Sequence, residues 1–253
     1  SAARFNERLD NLTSYLFKDD KQVERGTLDI SSATGPAYTF NPSSPLTFGD
    51  YTLVLLGDTA GHMPAHPDVN KPDMDLSYPG PEQTEDYFID RFSFTVDSKE
   101  DRSYTTQLQR VQGIVRFNFL NVPDYITGIE TSLDELSSHS FLDGSYSNAY
   151  LFSRYMPESA LERDENNNLS FSVMLFPTLD EEQTDWRVKL YRDGNSAPYY
   201  DELVRTDVEV LRNQLIDLTM DFGQGTGTGD FRFYIELNKQ WDGWHNVGGS
   251  FLN

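Results

Sequence analysis

The sequence predicts an all-β fold built from β-sandwiches, on three observations. Apolar and polar residues alternate with period two in several segments, which is typical of strands with one face on a core. Helical periodicity is scarce, and most connections are rich in Gly, Pro, Asn, Asp and Ser. Many short strands separated by such turn residues favour sandwiches over an α/β fold.

Four segments show the clearest alternation and are predicted as strands. Their apolar positions are Leu169, Phe171, Val173 and Leu175; Trp186, Val188 and Leu190; Ile216, Leu218, Met220 and Phe222; and Phe231, Phe233, Ile235 and Leu237. Less regular alternation predicts further strands at 9–17, 51–56, 88–96 and 111–120. Helical spacing predicts a short helix over 82–92 and one helical turn over 159–164.

Two segments interrupt the strand pattern. Residues 59–81 contain five prolines and little apolar content, which predicts a long surface loop. Residues 97–104 are short, charged and poor in apolar side chains. We place a domain boundary there, which divides the chain into an N-terminal domain at 1–105 and a C-terminal domain at 106–253.

The composition excludes several functional classes. The chain has 20 Lys and Arg against 41 Asp and Glu, a net charge of −21, which repels phosphate backbones and argues against nucleic-acid binding. No segment approaches the roughly 18 apolar residues of a membrane span. The absence of cysteine excludes disulfides, thiolate metal sites and cysteine nucleophiles.

Six segments resemble motifs of a known family, in the same order. They are residues 11–20 (NLTSYLFKDD), 46–54 (LTFGDYTLV), 86–96 (DYFIDRFSFTV), 108–115 (LQRVQGIV), 210–214 (VLRNQ) and 241–247 (WDGWHNV). Together they resemble the FimB-like, fimbrillin-associated anchor and accessory proteins of Bacteroidales fimbriae.

The resemblance implies two transthyretin-like β-sandwich domains in tandem and a non-catalytic role as a fimbrial anchor or accessory subunit. It implies export as a surface-exposed lipoprotein, held in the outer membrane by a lipid on a cysteine that we expect ahead of Ser1. The implied partners are other fimbrial subunits, joined by addition of a β-strand to an exposed sheet edge.

An alternative function is a carbohydrate-binding surface lipoprotein. Trp241 and Trp244 could form a flat platform for a sugar ring, with Tyr199 and Tyr200 beside them. These two tryptophans are therefore the candidate ligand or partner contacts.

The sequence offers no enzyme or metal motif. Acidic residues at 180–182 and 201–202 form pairs, but a glycosidase needs two carboxylates across a cleft, and a β-sandwich hydrolase is the weakest alternative. His62 and His66 have the spacing of helical metal ligands, yet Pro64 between them excludes a regular helix. We predict no catalytic residue, no metal and no cofactor.

Overall fold

The computed structural model describes residues 9–33, 35, 37–59, 75–76, 86–140, 145–179, 183–223 and 237–238. Within them the regular structure is β-strand, apart from 3-10 geometry at Glu158–Ala160 and at Leu179. No helix in this part of the chain is long and apolar enough to cross a membrane. The predicted all-β fold is confirmed.

The chain divides into two compact units. Unit 1 comprises Ser1–Leu76, Glu85–Val111 and His139–Ser145, and unit 2 comprises Ser77–Thr84, Gln112–Ser138 and Tyr146–Asn253. The predicted division into an N-terminal domain at 1–105 and a C-terminal domain at 106–253 stays a prediction.

Unit 1 holds one antiparallel sheet with the strand order β2-β1-β3-β5-β6. Its strands are β1 (Asn11–Lys18), β2 (Lys21–Thr27), β3 (Gly49–Asp58), β5 (Tyr87–Val96) and β6 (Gln109–Arg110). The two-residue strand β4 (Asp75–Leu76) pairs with His139 and Ser140 instead. Six consecutive residues of β1 are buried, so both faces of this strand are covered. This two-sided burial explains why its sequence alternates poorly.

Unit 2 is a sandwich of two sheets. Its strands are β7 (Gly113–Leu120), β8 (Ile126–Ser140), β9 (Tyr146–Pro157), β10 (Leu169–Leu175), β11 (Thr184–Arg192), β12 (Tyr200–Val208), β13 (Leu215–Asp221) and β14 (Leu237–Asn238). The "β7 sheet" has the order β10-β7-β13-β14, and β7 and β13 run parallel. The "β11 sheet" contains β12, β11 and β8 in this order, and β9 also pairs with β8.

The core of unit 2 lies between these two sheets. The ring of Phe117 on β7 lies 5.6 Å from Phe152 on β9 and 6.0 Å from Trp186 on β11. The indole N–H of Trp186 donates to Thr131 Oγ1 at 2.7 Å, so its polar atom is satisfied inside the core. Each large apolar side chain buried in this way stabilises the fold by about 1.5–3 kcal/mol.

The segments with a regular period-two pattern are strands where the structure describes them, and burial alternates on β11 and β13 but not on β10, where Ser172 and Met174 are buried too. Trp186, Val188 and Leu190 on β11 are at most 1 % exposed, while the residues between them are half-buried. The apolar positions of β10 and β13 are buried as well. Of the predicted strand at 231–237, only Leu237 lies within the described residues.

The short helix predicted over 82–92 is wrong from Tyr87 onward. Residues 82–85 lie outside the described residues, and Tyr87 begins β5, which pairs with β3 along its whole length. Phe, Tyr and Ile are common in strands, and the cross-strand pairing outweighs the weak helical spacing. The predicted turn at 159–164 is the 3-10 turn that begins at Glu158.

Candidate interaction surface

Several residues singled out by the sequence fall outside the described part of the chain. Trp241 and Trp244 do so, as do both histidines of the proline-rich loop and the acidic residues 180–182. Tyr199 and Tyr200 have different surroundings. Tyr199 is exposed just before β12, whereas Tyr200 packs against the core of unit 2. Tyr200 is therefore partly buried and offers less of its ring to a ligand than Tyr199 does.

The outward side of the β11 sheet carries a hydrogen-bonded group centred on Glu130 of β8. Lys189 Nζ donates to Glu130 Oε1 at 2.9 Å, and the Tyr191 hydroxyl donates to Glu130 Oε2 at 2.9 Å. Ser153 Oγ on β9 donates to Glu130 Oε1 at 3.5 Å. The ring of Tyr155 meets that of Tyr191 edge to face at 5.2 Å. We call this outward side of the β11 sheet the tyrosine face.

The electrostatics of the group follow from its contacts. Burial alone would raise the pKa of Glu130, but hydrogen bonds from Lys189 and Tyr191 outweigh it and lower that pKa. Burial and the hydrogen bond to Glu130 raise the pKa of Tyr191 to about 12. At neutral pH Glu130 is therefore a carboxylate and Tyr191 an intact phenol.

Three further contacts extend the tyrosine face toward β12. Arg187 Nη1 donates to Asp201 Oδ1 at 2.6 Å across the β11–β12 pair. At the end of the sheet where β8 begins, the Tyr125 and Tyr199 rings meet edge to face at 6.4 Å. The guanidinium of Arg192 lies 5.0 Å from the centre of the Tyr199 ring. Aromatic and charged side chains thus alternate across this side of the sheet.

The outward side of the β7 sheet is built differently. Arg116 on β7 bonds both carboxylate oxygens of Asp217 on β13, with 2.8 Å between Nη2 and Oδ2. Asn118 Nδ2 also donates to Asp217, at 3.2 Å, and Ser170 Oγ on β10 donates to Asn118 Oδ1 at 2.7 Å. We call this side the polar face, because its outward residues bond one another across three strands.

A buried ion pair lies in unit 1. Arg110 Nε lies 2.9 and 2.7 Å from the two carboxylate oxygens of Asp86, and both side chains are almost fully buried. Burial raises the pKa of Asp86 to about 7, although Arg110 pulls it down. The Asp86 N–H donates to Thr59 Oγ1 at 3.0 Å, so the pair lies beside the point where β3 ends and β5 begins. Breaking a buried pair is costly, and we interpret it as a structural contact that holds β6, which carries Arg110, to the start of β5.

An open cavity of about 310 Å³ lies in unit 1 beside the turn between β1 and β2. Its walls carry the carboxyl groups of Asp19, Asp20 and Asp50 and the hydroxyls of Thr52, Ser93 and Thr95. Thr95 Oγ1 donates to Asp50 Oδ1 at 2.6 Å. Among the described residues, no three His, Cys, Asp or Glu side chains come together as metal ligands would. The cavity therefore offers hydroxyl and carboxylate contacts but no metal site.

The sequence did not predict the tyrosine face. Tyr155 and Tyr191 are far apart in the chain and meet only because β9 and β11 both pair with β8. The available signal was weak: aromatic residues at the polar positions of alternating segments, such as Tyr191 after Leu190. Such positions are candidates for ligand contacts because a sheet's outward residues need no apolar side chain for folding.

Comparisons with known proteins identify the family. A family model described as "Fimbrillin-A associated anchor proteins Mfa1 and Mfa2" matches residues 1–247. A search of the curated proteins finds no match.

Solved structures share the fold at low sequence identity. The fimbrial anchor protein Mfa2 from Porphyromonas gingivalis is 11% identical, with a TM-score of 0.53 over 93% of this chain and 91% of that one. A candidate adhesin from Bacteroides ovatus is 13% identical, with a TM-score of 0.56 over 92% and 89%. A candidate polysaccharide-binding protein from Bacteroides thetaiotaomicron is 14% identical, with a TM-score of 0.55 over 85% of each chain. At these identities the matches show a shared fold.

Proposed function

The chain belongs to the family of fimbrillin-A associated anchor proteins, and from that membership we propose that it is a non-catalytic fimbrial anchor or accessory subunit at the cell surface. The observation that carries the proposal is the family match over residues 1–247. The role needs binding surfaces rather than an active site. The resemblance to FimB-like proteins in six ordered motifs supports the same conclusion.

The proposed contact to other fimbrial subunits is strand addition to a sheet edge. An added strand gains backbone hydrogen bonds, and its alternate side chains fill apolar pockets. In the described residues the strands with a single neighbour are β2, β4 and β6 in unit 1, and β9, β10, β12 and β14 in unit 2. Six of the seven residues of β10 are buried, and β4, β6 and β14 have two residues each, so β2, β9 and β12 are the accessible long edges.

Deletion and binding experiments test the role. Cells that lack the protein should shed their fimbriae into the medium or assemble them to abnormal length. The purified chain should retain a fimbrial shaft subunit in a pull-down. Fimbriae of normal length and attachment, together with no retained subunit, would contradict the proposal.

Thiol cross-linking tests which sheet edge accepts the added strand. The chain has no cysteine, so one introduced cysteine is unique. Val23→Cys on β2, Leu151→Cys on β9 and Thr206→Cys on β12 are exposed edge positions. Asn118→Cys on β7, which is paired with β10 on one side and β13 on the other, is the control. A short bifunctional thiol reagent should link one edge variant, and not the control, to a shaft subunit with a cysteine in its donor strand.

We also propose that a lipid holds the protein in the outer membrane. Palmitate labelling of the full-length precursor, followed by protease treatment of intact cells, tests this step separately. A labelled and protease-accessible protein is the expected result. An unlabelled precursor would remove the lipid anchor and leave a role as an unlipidated fimbrial subunit.

A further inference from the structure

Exposed large apolar and aromatic side chains are unevenly distributed in unit 2. In its described residues they are Tyr125, Leu151, Tyr155, Tyr199 and Leu203. All five lie on strands of the β11 sheet or directly before them. Within the described range, the β7 sheet contributes none. Their restriction to one sheet makes the outward side of that sheet the candidate for a binding surface.

Gly128 fixes the position of the Tyr155 ring. A Cβ atom at this glycine would lie 2.9 Å from Tyr155 Oη and 3.1 Å from Cε2. The ring therefore crosses β8 directly above the Gly128 backbone, with one side against the sheet. Tyr155 is still 52 % exposed, so the other side of its ring is open to solvent. The edge-to-face contact with Tyr191 holds the ring in this position.

Hydrogen-bonding groups surround this ring in fixed positions. Glu130 lies two residues along β8 from Gly128, and a carboxylate can accept about four hydrogen bonds. Lys189 beside it has three donors, and the Glu130–Lys189 contact holds both side chains in place. A ligand that stacks on Tyr155 would meet an acceptor and a donor that need no rearrangement, which reduces the entropy cost of binding.

The charge of the tyrosine face selects a neutral ligand. Two of its carboxylates are paired with cations, Glu130 with Lys189 and Asp201 with Arg187. The chain as a whole carries −21, which repels anionic ligands. A ligand with a flat apolar side and many hydroxyl groups, and with no charge, complements this surface. These are the properties of a pyranose ring in a neutral polysaccharide.

We propose that the tyrosine face binds a neutral polysaccharide, with one pyranose ring stacked on Tyr155 and its hydroxyls bonded by Glu130 and Lys189. The Tyr125–Tyr199 pair at the end of the same sheet, with Arg192 against it, provides a second stacking position along the chain. This site is distinct from Trp241 and Trp244, which stay a prediction. It is also independent of the anchoring role, since it uses the face of a sheet rather than its edge.

Affinity electrophoresis tests the proposal. The whole chain is run through native gels that contain a neutral polysaccharide: yeast mannan, laminarin or xyloglucan. Gels with polygalacturonate test anionic polymers. The variants are Tyr155→Ala and Tyr155→Phe. The control is Tyr104→Ala in unit 1, since Tyr104 is 48 % exposed and so nearly matches Tyr155.

One pattern of results supports the site. At least one neutral polysaccharide should retard the wild-type chain, and polygalacturonate should not. Tyr155→Ala should weaken the retardation at least tenfold, whereas Tyr155→Phe and Tyr104→Ala should leave it within about twofold. If Tyr155→Ala does not fold by circular dichroism, Glu130→Gln takes its place and should also weaken binding.

Three results would overturn the proposal. The first is that none of the neutral polymers retards the wild-type chain. The second is retardation that is unchanged in Tyr155→Ala. The third is that Tyr155→Ala loses a fimbrial subunit in the pull-down while keeping polysaccharide binding, which would make the face a protein interface. A failure here leaves the anchoring role standing, because the shedding and edge cross-linking experiments do not involve these residues.

Discussion

The two outer faces of the unit 2 sandwich share one core but carry different side chains. On the polar face, Arg116, Asn118 and Asp217 bond one another across strands, and no large apolar side chain is exposed in the described residues. On the tyrosine face, exposed rings stand beside a fixed carboxylate and ammonium. Folding requires only that outward residues be compatible with water, so the two faces could be alike. Their difference indicates that one face only encloses the core and the other also binds.

The largest expected loss of stability comes from a change in the core that lies between the two sheets. Phe117 contacts rings in both sheets, so Phe117→Ala should lower the free energy of unfolding by about 3–5 kcal/mol. Guanidinium denaturation measures this loss. Asn118→Ala, at the next residue but on the polar face, is the control and should cost about 1 kcal/mol or less. Equal losses in the two variants would mean that the core does not join the sheets through Phe117.

The next effect concerns a polar contact inside this core. Thr131→Val removes the hydroxyl that accepts the Trp186 indole N–H and leaves that donor buried. A buried unsatisfied donor costs about 1–3 kcal/mol, so the free energy of unfolding, measured by guanidinium denaturation, should fall by that amount. Thr131→Ser keeps the hydroxyl and should recover most of the loss. If Val and Ser variants are equally stable, the hydrogen bond contributes little.

A third experiment compares the faces directly. Arg116→Met on the polar face and Tyr191→Phe on the tyrosine face each remove hydrogen bonds to a carboxylate. Both groups are partly exposed, so each change should cost only about 0.5–1 kcal/mol in chemical denaturation. Only Tyr191→Phe should reduce retardation by a neutral polysaccharide, because it loosens Glu130. If Arg116→Met reduces the retardation as much as Tyr191→Phe does, the two faces do not differ in polysaccharide binding.

Residues of these faces also show how far the sequence could predict the molecule. The β11 and β13 strands were predictable because Trp186 and Leu218 alternate with polar neighbours and point into the core. The long strand β8 was not, because its inward set includes Thr131, which bonds Trp186, and its outward set includes Gly128, which makes room for Tyr155. Both residues serve contacts with other strands, and a local pattern carries no information about those contacts.

The same limit applies to the binding surface. The sequence drew attention to Trp241 and Trp244 because large aromatic residues close together suggest a platform. Tyr155 and Tyr191 become neighbours only through strand pairing on either side of β8. Register is a tertiary property, so a surface assembled from three strands is recognised only after the sheet has been determined.

The smallest expected effect is the pH dependence of the tyrosine face. The pKa of Glu130 is lower in the folded chain than its usual value, because the bonds from Lys189 and Tyr191 outweigh burial. A lowered folded pKa means that the carboxylate contributes stability above the unfolded value of about 4.5, and that the contribution is lost as the pH falls through the folded pKa. Between pH 6 and pH 3 the wild-type chain should therefore lose slightly more stability than Glu130→Gln, by less than about 1 kcal/mol, since the group is partly exposed. Urea denaturation of both proteins across that range measures the difference, and Asp217→Asn gives the matched curve for the polar face.

Polysaccharide retardation should weaken in the same acidic range for the wild-type chain, because protonation of Glu130 releases Lys189. A retardation that is independent of pH down to 3 would show that the tyrosine face binds through its rings alone.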